Sequence, residues 1–270
     1  MIGIFDSGVG GMTVARAVEQ RLPQYRVVYF GDLARTPYGS KSPETILAYS
    51  RQNTEFLLSH GAKIIIIACN TAASVAADIL PAEFPVPIFE VIGPAVRRAV
   101  AASRTGRVGV IGTRATIRSN VYERKITELS PECRVFSQAC PLLVPLVEEG
   151  WLDRRETKMI LRRYLQPLRL KQVDTFVLGC THYPLLKELI QPRIGKRVRI
   201  IDSSEEVAEN LASFLEDHPE IERQLARGGE NIYHVSDVTE AAVDTARRVF
   251  GRPIELRKVS IDEFNKGYGV

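Results

Sequence analysis

Two cysteines stand in matching surroundings in this sequence. Residues 64–74 read IIIIACNTAAS, and residues 175–185 read TFVLGCTHYPL. In each, an apolar run with the character of a buried strand ends in a thiol, Cys69 or Cys180, and polar residues and a helix start follow at once. A helix N-terminus lowers a thiol below its free pKa of about 8.5 and makes a usable thiolate. His182, two residues past Cys180, is placed to exchange a proton with it; Asp6 would serve Cys69 in the same way if the sheet brings them together. One thiol of this kind suggests a nucleophile. Two in mirrored settings suit a reaction with a base on each side of one ligand, which is what inversion of a stereocentre requires. One group takes a proton as thiolate while the other delivers one from the far face as thiol.

In an open parallel sheet, ligands bind beyond the carboxyl ends of the strands, so the residues just after each apolar run come next. The first run is followed by Asp6-Ser7-Gly8-Val9-Gly10-Gly11, a glycine-rich turn whose helix-start amides favour an anion. It is not a dinucleotide fingerprint, because Thr13 stands where the third glycine belongs. Asp6 and Ser7 in front favour a small anionic or amine-bearing ligand over a plain tight turn. Further on, Thr36-Pro37-Tyr38-Gly39 forms a turn able to present backbone amides to a carboxylate. Thr113 and Thr116 open another helix; Thr113 reads first as an N-cap and second as a ligand contact. Glu148 and Glu149 fall at a helix end, where carboxylates are electrostatically unfavourable, and that hints at a function. Cys133 and Cys140 read as small buried hydrophobes.

Strands and helices must aim these residues. β-branched and aromatic runs predict strands near 2–5, 26–30, 63–68, 86–91, 107–111, 133–138, 175–178, 198–201, 231–235 and 254–258. Amphipathic patterns predict helices over 11–22, 42–60, 70–80, 94–102, 115–129, 154–170, 183–191, 204–216 and 238–250. Ser42 with Pro43 caps one of them, and Ser203-Ser204-Glu205-Glu206 opens another. The βαβ alternation, with near-continuous apolar strands, predicts an α/β fold built on mainly parallel sheets. The duplicated cysteine segment predicts two similar α/β domains related by a pseudo-twofold: residues 1–92 plus 208–270 carrying Cys69, and 93–207 carrying Cys180. Residues 265–269 are expected to fray.

Composition narrows the classes. The chain has 270 residues, 45% of them hydrophobic and 25% charged, enough for a sizeable core. A net charge of +4 with scattered Lys and Arg does not suggest a nucleic-acid surface. No apolar run is long enough for a membrane span, and the start lacks the pattern of a signal peptide. Four cysteines without an export signal point to a reducing compartment and against disulfides. Neither the cysteines nor the histidines fall at zinc-ligand spacing, so no metal is expected.

Several segments together resemble the glutamate racemases of the aspartate/glutamate racemase superfamily. They are FDSGVGGMTV at 5–14, PYG at 37–39, ACNTA at 68–72, PLLVPLVEEG at 141–150 and GCTHYPL at 179–185. The resemblance implies cofactor-independent interconversion of L- and D-glutamate, in the cytoplasm, supplying D-glutamate for peptidoglycan. It also implies two α/β domains facing each other across a cleft, in a homodimer that needs neither nucleic acid nor membrane. On this basis Cys69 acts on D-glutamate and Cys180 on L-glutamate, assisted by Asp6 and His182 respectively. Glu148 is the further acid near Cys180, with Glu149 its alternative. Ser7, Pro37, Tyr38, Gly39, Asn70, Thr71, Thr113, Thr116 and Thr181 would hold the ammonium and carboxylates, with Asp32 a further candidate. Relatives with an N-terminal extension bind a peptidoglycan-precursor activator there. Here Phe5-Asp6 comes almost at the first residue, so such activation is not expected. The rivals are an aspartate racemase, a redox dithiol and a two-lobed amino-acid binding module. The PYG and GCTHYP segments favour glutamate, and a binding module has no use for two strand-end thiols.

Overall fold

The computed structural model describes residues 1–260, so the expectation for residues 265–269 lies outside the described residues. The strands are β1 (Ile2–Asp6), β2 (Val27–Gly31), β3 (Ile64–Ile67), β4 (Ile88–Glu90) and β5 (Arg107–Gly112), then β6 (Arg134–Ala139), β7 (Thr175–Gly179), β8 (Arg199–Asp202), β9 (Ile232–Val235) and β10 (Leu256–Lys258). They form two sheets, ordered β10-β9-β2-β1-β3-β4 and β6-β5-β7-β8, and every pairing is parallel. The order β2-β1-β3-β4 in the first sheet is repeated as β6-β5-β7-β8 in the second. β1 therefore corresponds to β5 and β3 to β7, which gives the predicted two-fold resemblance its physical form. β9 and β10 return from the end of the chain to extend the first sheet.

The central strands are apolar throughout because helices cover both faces of each sheet. Ile64, Ile65, Ile66 and Ile67 are all 0% exposed. Burying a side chain of this size contributes about 1.5–3 kcal/mol, so the residues beyond such a strand hang from firmly held backbone. Register levels the strand ends: Phe5 pairs with Ile67 across β1 and β3, and Gly112 pairs with Gly179 across β5 and β7. The loops beginning at Asp6 and Ala68 thus leave side by side, as do those beginning at Thr113 and Cys180.

Helix boundaries differ from expectation where local geometry intervenes. The segment read as 115–129 is two helices, Arg114–Arg118 and Val121–Leu129, broken at Asn120, whose φ of 57° is left-handed. Asparagine tolerates that conformation better than most residues. The segment read as 70–80 likewise stops at Ala76 and resumes as Leu80–Glu83. The helix Ser203–Asp217 is capped by Asp202, whose carboxylate accepts from the Ser204 amide at 3.0 Å, not by the serines that follow. Ser42 does cap Pro43–Ser59, accepting from the Thr45 amide.

Helix Ser203–Asp217 leaves the second sheet at β8 and packs against helices Met12–Arg21 and Ile92–Ala102. The boundary drawn at 207/208 falls inside it, and the one at 92/93 falls in the first turn of Ile92–Ala102. Thr13 fastens this junction. Its hydroxyl lies 2.9 Å from the Gly10 carbonyl, 3.0 Å from the Thr181 carbonyl and 3.0 Å from Ser204 Oγ. Among the described residues, no helix is long and apolar enough to cross a membrane.

Candidate active site

The loops after β1, β3, β5 and β7 converge on a cavity of about 450 Å³. Of the residues singled out from sequence, Ser7, Pro37, Tyr38, Gly39, Cys69, Asn70, Thr71, Thr113, Glu148, Cys180, Thr181 and His182 line it. Asp6 and Thr116 are buried just behind the wall, and Asp32 is buried behind Tyr38. Both thiols border the same cavity, each from the corresponding strand of its own sheet.

The two thiols have different partners. Cys69 caps helix Asn70–Ala76, accepting from the Ala72 amide at 3.5 Å, and its S–H donates to Ser7 Oγ at 3.4 Å. The expectation that the helix start would make it a ready thiolate is overturned. Burial, then the neighbouring Asp6 carboxylate, outweigh the help from Ser7 and the Ala72 amide and push Cys69 up to about 12. Cys69 therefore rests as a protonated thiol.

Cys180 faces an imidazole instead. Its Sγ lies 3.8 Å from His182 Nδ1, and His182 Nε2 lies 3.1 Å from Glu148 Oε1. Burial alone would lower the histidine. Hydrogen bonds to Cys180 and Glu148, with the charges of both, override that and raise it to about 10. The ring is thus a cation at neutral pH, donating to both neighbours. Glu148 closes helix Leu143–Glu148 and reaches His182, while Glu149, one residue on, is exposed. A carboxylate at a helix end is electrostatically misplaced unless a cation faces it, and the imidazolium is that cation.

The glycine-rich turn after β1 works differently from the sequence expectation. The anion it cradles is the chain's own Asp6, which accepts from the Gly8 amide at 3.0 Å and also from the Gly11 amide. Thr181, from the other half, donates to Asp6 Oδ1 at 3.3 Å. Burial raises Asp6 despite these bonds and the nearby His182 charge. The two glycines make room: a Cβ on Gly11 would lie 2.3 Å from Asp6 Cβ, and one on Gly10 would lie 2.4 Å from His182 Nδ1.

Hydroxyls and amides complete the wall. Thr71 Oγ1 lies 3.0 Å from Thr113 Oγ1 and 3.3 Å from Thr116 Oγ1, joining the two halves. Thr113 also caps Arg114–Arg118 through the Thr116 amide, as its first reading expected, and it borders the cavity. Asn70 Oδ1 accepts from the Tyr122 hydroxyl at 2.6 Å, whereas its buried Nδ2 has no partner among the described residues. The Tyr38 hydroxyl is turned from the cavity toward Asp32 and Asn53, leaving the ring and the Pro37–Gly39 backbone as wall.

Sequence reasoning passed over Arg114, Cys140, Val144 and Pro145, which also line the cavity. Arg114 and Cys140 directly follow Thr113 and the end of β6, so the strand-end rule applied without exception would have found both. Val144 and Pro145 belong to a six-residue helix too short to leave a periodic signal. Among the described residues, no group of three His, Cys, Asp or Glu side chains is arranged to hold a metal ion.

Residues 12–211 match the family model described as Asp/Glu/Hydantoin racemase. The chain is 56% identical over 215 residues to a glutamate racemase of Syntrophus aciditrophicus, covering 80% of each. A glutamate racemase isoform of Bacillus anthracis superposes with a TM-score of 0.89 at 36% identity, covering 96% of this chain and 97% of that one. The glutamate racemase of Francisella tularensis in complex with D-glutamate superposes with a TM-score of 0.87 at 34% identity, covering 97% of this chain and 98% of that one.

Proposed function

The chain belongs to the Asp/Glu/Hydantoin racemase family, and from that premise we propose that it interconverts L- and D-glutamate with Cys69 and Cys180 as opposed bases. The observation that carries this is the placement of two thiols after corresponding strands of the two sheets, bordering one cavity. From L-glutamate, the Cys180 thiolate takes the α-proton, and the electron pair of that C–H bond passes to the α-carbon and its carboxylate. The Cys69 S–H then delivers its proton to the opposite face. The products are D-glutamate, a Cys180 thiol and a Cys69 thiolate, and from D-glutamate the roles exchange.

The His182 cation faces Cys180 Sγ at 3.8 Å, and Cys69 holds the proton to be delivered. Glu148 anchors His182, and Asp6 stands near Cys69 to receive or return its proton. Asn70, Thr71, Thr113 and Thr181, with Thr116 behind Thr71 and Thr113, would hold the ammonium and carboxylates, while Ser7 and the Pro37–Tyr38–Gly39 turn enclose the ligand. The product would feed peptidoglycan synthesis in the cytoplasm. The domain division at 92/93 and 207/208, a homodimeric assembly and independence from cofactors belong to the same proposal.

The test is incubation with each enantiomer in D2O without added pyridoxal phosphate. Deuterium at the α-carbon together with loss of optical rotation supports the proposal. Turnover of aspartate but not of glutamate would reassign the substrate, and a reversible Cys69–Cys180 disulfide without α-exchange would replace the racemase by a redox protein.

A further inference from the structure

Tyr122 stands at the contact between the two cysteine segments and has no part in the proton transfers. It lies in the first turn of helix Val121–Leu129 and is 2% exposed. Its hydroxyl reaches Asn70, the residue after Cys69. Its ring lies against Gly179, the residue before Cys180, where a Cβ would come 3.1 Å from Tyr122 Cε2. One side chain therefore touches the backbone neighbour of each thiol.

The hydroxyl has one hydrogen to give, and it goes to Asn70 Oδ1 at 2.6 Å. Burial, with the nearby negative charges of Glu90 and Cys180, holds the phenol well above its ordinary pKa, so that hydrogen stays in place. An asparagine amide has an accepting end and a donating end that are nearly equal in shape. With Oδ1 taken from behind, the end left over is Nδ2, a donor that is buried and without a partner among the described residues, in a side chain bordering the cavity. An unpartnered buried donor is unfavourable by roughly 1–3 kcal/mol, and an accepting ligand removes that penalty.

We propose that Tyr122 is a positioning residue that sets which end of the Asn70 amide meets the ligand, and so makes the wall beside Cys69 select a carboxylate over an ammonium. This rests on glutamate being the ligand. A flipped amide would present Oδ1 to the cavity and attract the ammonium, turning the amino acid end for end relative to the thiols. The orientation of the substrate beside Cys69 is thereby decided from behind the wall, by a residue that never contacts it.

The test is a double-mutant cycle of Tyr122→Phe and Asn70→Ala, reading KM and kcat for both enantiomers. Tyr122→Phe keeps the ring against Gly179 and removes only the hydroxyl. It is expected to raise KM by several-fold to about tenfold, with a smaller change in kcat and a lower mid-point of thermal unfolding, because the buried Asn70 Oδ1 loses its donor. In the Asn70→Ala background the same change is expected to have no effect on KM, because there is no amide left to orient. A wild-type KM in Tyr122→Phe would overturn the inference, as would an equal rise in KM with and without Asn70. Turnover by the unmutated protein tests the glutamate reading separately, so failure of one is distinct from failure of the other.

Discussion

Gly10 and His182 come from opposite halves of the chain, yet they pack so closely that a Cβ on Gly10 would lie 2.4 Å from His182 Nδ1. That nitrogen is the one facing Cys180 Sγ, at 3.8 Å. A glycine in the first half thus sets the position of the imidazole that serves the thiol of the second. The backbone at Gly10 is not left-handed, so a larger residue there is excluded by His182 and not by strain.

Gly10→Ala should therefore displace the imidazole while leaving the fold intact. Misplacement of a catalytic group by about 1 Å lowers rates by roughly 10²-fold, and a fall of that order in kcat is expected. Steady-state kinetics with L-glutamate, alongside thermal unfolding, checks it. A full-rate Gly10→Ala would mean that the approach has no bearing on catalysis.

Cys69→Ala and Cys180→Ala should each reduce racemisation in both directions by on the order of 10³-fold or more, because each direction uses both thiols. The measurement is optical rotation starting from either enantiomer. Wild-type rates in both directions from either variant would sink the two-thiol scheme.

The His182 charge predicts a pH dependence of stability. Its pKa is about 10 in the fold against an ordinary 6.5, so the folded protein holds an extra proton between those values. The resulting stabilisation is complete below the lower value and is lost as pH rises through the upper one. Thermal unfolding of the wild type should decline across that window. His182→Asn should start lower and decline less, and parallel curves for the two proteins would contradict the assignment.

The Tyr38 hydroxyl faces the fully buried Asp32 carboxylate and accepts from Asn53 Nδ2 at 3.0 Å. Tyr38→Phe should destabilise the protein by about 1–3 kcal/mol, since it strips a donor from a buried carboxylate. KM for glutamate should change little, because the ring is retained. Chemical denaturation and initial rates separate the two effects, and a large rise in KM at unchanged stability would place the hydroxyl on the substrate instead.

Much of the fold and the site is legible in the order of residues alone. The isoleucines of β3 and the apolar run of β7 announce buried parallel strands, and the thiol after each announces a site at the strand ends. Ser42-Pro43 announces a helix start, and Glu148 and Glu149 at a helix end hint at a function. These are local signals: hydrophobic period, capping and the electrostatics of a helix end act within a few residues.

What the order of residues leaves open is decided by groups distant along the chain that share one low-dielectric space. The repeated strand order places Cys69 and Cys180 at corresponding positions around one cavity. Burial beside Asp6 keeps Cys69 protonated, although its helix start alone argues for a thiolate. The DSGVGG turn encloses its own Asp6 and admits His182 from the other half, where the sequence pattern suggested a cradle for a ligand. Ionisation and close approach depend on which side chains meet after folding, and neither is encoded in any single segment. The sequence by itself determined the two thiols and the strands that carry them; only the tertiary structure decided which would rest as acid and which would face a cation.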